Sequence, residues 1–74
     1  MAKPTPPIQV IERMGKLLDA IARYDEPASL KTLSADTGLH PSTAFRILAS
    51  LTGLGYVERS PVGNYTLGAK LLYL

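Results

Sequence analysis

The residues best suited to chemistry lie in one run, His40-Pro41-Ser42-Thr43-Ala44-Phe45-Arg46. Two hydroxyls and a guanidinium stand here with no carboxylate among them. If a helix starts at Pro41, Ser42 and Thr43 occupy its first turn, where free N–H groups and the positive end of the helix dipole favour anions. Arg46 could then fork onto a guanine edge or grip a phosphate. Phe45 could meet a thymine methyl, or pack against the domain or a second copy. His40 reads as the N-cap of that helix, with a DNA contact as its other role. Ser42, Thr43 and Arg46 also have plainer readings, as ordinary first-turn residues and a solvated cation. Three further residues could touch nucleic acid from outside this run. Lys31 could reach a phosphate, and Arg59 and Asn64 border a hairpin where a backbone or minor-groove role fits.

These side chains need elements to aim them. Placed at 100° per residue, Val10, Ile11, Met14, Leu17, Leu18, Ile21 and Ala22 share one broad face, predicting a helix over residues 8–24. Glu12–Lys16 and Asp19–Arg23 are acid-first i,i+4 pairs on its other side. The apolar arc is wide enough to serve both a core and a partner helix. Pro27 disfavours helical geometry at Glu26 and stops the run. A second helix is predicted from Leu30 to Thr37, with Ser29 as N-cap and Gly38 as a left-handed stop. A third runs from Pro41 to Leu54, with Pro41 suited to the first position. Its expected buried stripe is Ala44, Ile47, Leu48, Leu51 and Leu54. That leaves Ser42, Phe45, Arg46, Ala49 and Gly53 facing out, with Thr43 at the edge.

Residues 56–59 and 65–67 then read as strands around the turn Ser60-Pro61-Val62-Gly63-Asn64. Residues 68–74 read as the start of a linker helix leading to a further domain. Residues 1–7, with Pro4, Pro6 and Pro7, read as a disordered arm that could reach a minor groove only weakly, through Lys3. The fold class is therefore mainly α with a small β-hairpin, a winged helix-turn-helix over residues 8–67. The turn around Gly38 carries this assignment. Ser34 supplies the small residue that allows a close helix crossing. Leu33, Leu39, Ala44 and Ile47 hold the apolar offsets, and Thr37 departs from the apolar residue common at its position.

Composition narrows the function classes. The chain has 74 residues, 46% hydrophobic and 19% charged, with net charge +2 and no cysteine. Such a length suits one small domain whose own core is modest. The charged share is below the roughly 25% of typical domains, which fits apolar surface covered by another chain or a further domain, and equally fits ordinary exposed apolar side chains. A lone His40 without cysteine cannot build a metal cluster, so no metal or cofactor is expected. No phosphate-cradling glycine loop or paired carboxylates point to an enzyme. No apolar run reaches the roughly 18 residues of a membrane span, and a cytoplasmic location is expected.

The chain resembles the N-terminal DNA-binding domain of the IclR family of bacterial transcriptional regulators. The resemblance rests on Leu30, Leu33-Ser34 and Thr37-Gly38-Leu39, then Ser42-Thr43 with Arg46-Ile47-Leu48. It continues through Leu51, Gly55-Tyr56-Val57-Glu58-Arg59, and Gly63, Tyr65 and Leu67-Gly68. It implies dimeric binding to near-palindromic double-stranded operators, repression or activation, and a C-terminal domain that binds a small-molecule effector and lies outside this chain. It also implies DNA contacts by Ser42, Thr43 and Arg46. The family often has proline then a basic residue where this chain has His40 and Pro41. It often has a polar residue at Phe45 and arginine at Asn64. The alternative is a winged helix used for protein docking or dimerisation without DNA.

Overall fold

The computed structural model describes residues 8–73, so the expected arm at 1–7 lies outside the described residues. Three helices come first: α1 (Gln9–Ala22), α2 (Leu30–Thr37) and α3 (Pro41–Leu54). Two short strands follow, β1 (Val57–Arg59) and β2 (Tyr65–Leu67), and then a 3₁₀ segment over Ala69–Tyr73. That segment replaces the expected start of a linker α-helix. Its first turn is closed by the Leu71 N–H on the Gly68 carbonyl at 3.2 Å, the tighter i→i+3 pattern.

α1 is shorter than its expected span. It ends at Ala22, where Arg23 and Tyr24 turn their N–H groups back onto the carbonyls of Ala20 and Ile21. Its apolar arc also divides. Leu17, Ala20 and Ile21 enter the core, with Met14 and Leu18 packed at its margin. Val10 and Ile11 stay 56% and 55% exposed, and Ala22 is exposed too. Of the two i,i+4 pairs, only Glu12–Lys16 closes, at 4.0 Å, among the described residues. Past the helix end, the Tyr24 hydroxyl donates to the Asp36 carboxylate of α2. That hydrogen bond, reinforced by the carboxylate's charge, holds the Tyr24 phenol above its ordinary pKa.

β1 and β2 pair antiparallel, with Val57 opposite Leu67, Glu58 opposite Thr66 and Arg59 opposite Tyr65. The other edge of β2 is occupied as well. Ala28, in the loop between α1 and α2, exchanges two backbone hydrogen bonds with Tyr65, at 2.9 and 2.8 Å. The loop thus acts as a one-residue third strand, which no strand pattern in the sequence announces. Tyr65 sits between the two partners and sinks its ring into the core with Leu17, Leu33, Leu48 and Val57. Among the described residues, no helix is long and apolar enough to cross a membrane.

Candidate nucleic-acid interface

α2 and α3 are set at their angle by a tightly specified turn. Ser29 caps α2, its Oγ accepting the Thr32 N–H at 3.1 Å. Gly38 ends α2 at φ 73°, a conformation glycine adopts without steric cost. The unusual Thr37 is satisfied: its hydroxyl donates to the Leu33 carbonyl at 2.7 Å and accepts the Leu39 N–H at 3.4 Å. Leu33 and Ala44 are fully buried, and Leu39 and Ile47 pack against the core they belong to. Ser34 is 7% exposed, and among the described atoms its Oγ has no hydrogen-bond partner. The crossing keeps a small side chain there despite the unmade hydrogen bond.

α3 starts as its residues dictate, with one consequence for anion binding. His40 is the N-cap, its Nδ1 accepting the Ser42 N–H at 3.1 Å. Pro41 has no N–H to offer. Among the described residues that leaves the Thr43 amide as the one first-turn N–H without a partner, fewer than the first-turn positions suggest. Ser42, Phe45, Arg46, Ala49, Ser50 and Gly53 face outward, with Thr43 half-buried at the edge. α3 carries no acidic residue, so nothing on this helix repels phosphate. Leu54 does not complete the buried stripe; it is 55% exposed. It lies on an open cleft of about 580 Å³ between α1 and α3 instead of in the core.

That cleft holds a residue the helical projection missed. Arg13 of α1 is half-buried and lines the cleft together with Thr43, Arg46 and Ser50. At 100° per residue Arg13 falls outside the apolar arc of α1. Its place between Leu17 and Ala20 on the helical projection, at the border of the apolar arc, is the signal the sequence offers. A second guanidinium therefore stands beside the outward face of α3.

The remaining candidates sit on other elements. Lys31 is exposed in the first turn of α2. Arg59 is exposed on β1, with its guanidinium folded against Gly63, 3.1 Å from where a Cβ would stand. Asn64 is half-buried and lines a groove with Ser29 and Thr32 at the start of α2. Its backbone closes the hairpin turn, with its carbonyl on the Ser60 N–H at 2.8 Å and its N–H on Ser60 Oγ at 3.1 Å. The outermost apolar side chain of the turn is Val62, 82% exposed. The fold thus gathers His40, Ser42, Thr43, Phe45 and Arg46 on one helix and leaves Lys31, Arg59 and Asn64 as separate outposts.

The far end of α3 is held by residues beyond the strands. Gly55 turns left-handed at φ 88°, and the Tyr56 N–H closes on the Leu51 carbonyl at 3.0 Å. Lys70 Nζ donates to the Leu54 carbonyl at 3.1 Å and lies 5.2 Å from the Tyr56 ring centroid. A cation there complements the negative end of the helix dipole. Gly68 makes this approach possible. Its N–H bonds the Tyr56 carbonyl at 2.8 Å, and a Cβ on it would fall 2.2 Å from the Gly55 oxygen.

Comparison with known proteins agrees with this geometry. The model of the IclR helix-turn-helix domain matches residues 10–61. The glycerol operon regulatory protein of Streptomyces griseus is 40% identical over 68 residues, covering 90% of this chain and 27% of that protein. The chain therefore spans about a quarter of the length of the curated relatives it matches. Among solved structures, the repressor BlcR of Agobacterium tumefaciens superposes with a TM-score of 0.80 at 26% identity, over 89% of this chain and 27% of that one. A transcriptional regulator from Alicyclobacillus acidocaldarius reaches 0.86 at 20% identity, over 92% and 28%, a likeness of fold.

Proposed function

The chain belongs to the IclR helix-turn-helix family, a DNA-binding module of transcriptional regulators, and from that premise we propose that α3 inserts into the major groove of a double-stranded operator. The observation that carries this reading is the outward face of α3. It is acid-free, mostly small, and edged by Arg46, with Arg13 beside it. Arg46 reads a base edge or holds a phosphate. Ser42, the Thr43 hydroxyl and its free amide hold the backbone near the helix start. His40 acts there chiefly by fixing the first turn, and Phe45 faces the groove. Lys31 meets phosphate from α2, and Arg59 and Asn64 brace the wing against the backbone or minor groove.

A homodimer on a near-palindromic site would place two α3 helices about 34 Å apart on one face of the duplex. The uncovered Val10 and Ile11 of α1 supply apolar surface for that pairing. We read the chain as acting in the bacterial cytoplasm. A response to a small-molecule effector would belong to a further domain outside this chain. The docking-module alternative has no observation of its own in its favour.

Selection of bound duplexes from a random pool tests the reading, followed by titration of the selected site at several salt concentrations. A specific site should emerge, with log affinity falling linearly in log salt. Arg46→Ala should weaken the selected site by about 1–3 kcal/mol at fixed salt. No duplex retained even at low salt would overturn the reading in favour of docking.

A further inference from the structure

We propose that Phe45 makes α3 a reader of the pyrimidine C5-methyl group, which in unmodified DNA means thymine, next to the base or phosphate held by Arg46. The inference deepens the DNA-binding reading and rests on it. Phe45 is 45% exposed, the one large apolar side chain on an outward face otherwise made of small and polar residues. At 100° per residue, Ser42, Ala49 and Gly53 form a central strip. Phe45 borders that strip on one side and Arg46 on the other. A Cβ added to Gly53 would meet nothing within 4 Å, so the strip is open at Gly53.

Ala44, Leu48 and Leu51 fill the inward side of α3, and Phe45, at the rim of the cleft between α1 and α3, keeps 45% of its surface open. A benzyl ring offers no hydrogen bond to a base edge. The apolar feature of the major-groove base edges is the C5-methyl of thymine, and phenylalanine is among the side chains that meet it. A ring held in the groove over any other base edge would strip water from polar atoms without replacing their hydrogen bonds. The pairing of a ring on one flank with a guanidinium on the other therefore selects a methylated pyrimidine beside an acceptor-rich edge.

The test uses the 74-residue chain and its selected duplex. Each thymine of the site is replaced in turn by deoxyuridine, which deletes only the methyl, and binding is read by fluorescence anisotropy at fixed salt. One thymine per half-site should lose about fourfold in affinity on this change, the worth of one buried methyl-sized group. Phe45→Ala should bind thymine and uracil at that position equally well. Phe45→Leu, which keeps apolar bulk, should retain part of the preference and covers the case in which the alanine variant folds poorly. In the wild type, 5-methylcytosine placed at that position should bind better than cytosine.

A selected site without thymine under α3, or no thymine sensitive to demethylation, would overturn the proposal. So would a preference that survives in Phe45→Ala. A survival accompanied by a change in oligomeric state would assign Phe45 to the contact with a second copy. A pool that returns no bound duplex would instead fail the DNA-binding reading itself, before Phe45 is in question.

Discussion

The two ends of α3 are both capped by side chains, but from opposite distances. At the start, His40 reaches the Ser42 amide from the adjoining residue. At the finish, Lys70 reaches the Leu54 carbonyl from sixteen residues away, across the hairpin. The first cap forms as soon as the local backbone turns. The second exists only once β1, β2 and the bend at Gly68 are in place. Neighbours in sequence therefore close α3 at both ends, and at its finish, beyond the local turn at Gly55, a second clasp comes from across the hairpin.

Substitutions at the two ends can break this contrast. The largest effect is expected from Gly68→Ala. Its new Cβ would collide with backbone, not with a yielding side chain, and so must push the exit segment off α3. A loss of about 1–3 kcal/mol is expected. Thermal melts followed by circular dichroism should show it as a fall of about 4–8 °C per kcal/mol for a domain of this size. An unchanged melt would mean that the distant cap contributes nothing to holding α3.

His40→Ala should cost less, about 1 kcal/mol, by orphaning the Ser42 amide. His40→Asn should recover it, because asparagine supplies the same kind of acceptor at an N-cap. If the asparagine variant melts with the alanine variant, the capping role at the start of α3 is wrong. Lys70→Met should have the smallest effect, about 0.3–1 kcal/mol, since methionine keeps the apolar stem while removing the charge. Its difference from the wild type should shrink as salt is raised, because an exposed charge on a helix end is screened. A difference independent of salt would point to packing as its cause.

The same contrast explains what could be read in the residues beforehand. The bounds of α2 and α3, the caps Ser29 and His40, and the left-handed Gly38 all follow from neighbours in sequence, and all hold in the structure. The outward placement of Ser42, Phe45 and Arg46 follows from helical periodicity alone. Periodicity gives direction, though, and not the extent of the partner surface. Leu54 lies close to the apolar side of α3 yet faces the open cleft, and Val10 and Ile11 share the arc of Leu17 yet stay more than half exposed. Arg13 shows the converse: a long side chain on the border of an apolar arc goes where the neighbouring helix leaves room. The Ala28 rung and the Lys70 cap depend on contacts far apart in sequence, which no local pattern encodes.

The rung between Ala28 and Tyr65 also sets a condition on how the chain acquires its shape. It closes a loop that contains all of α2, α3 and β1. The helical turns can form early from nearby contacts, whereas this closure must bring distant stretches together and bears the entropy of doing so. Its reward arrives at once, because the same residue seats its ring in the core. The rung and the buried ring thus meet at one residue, which couples their opening. Fraying at the hairpin is thereby tied to loss of the whole reading unit, and the region around α3 opens cooperatively instead of piece by piece.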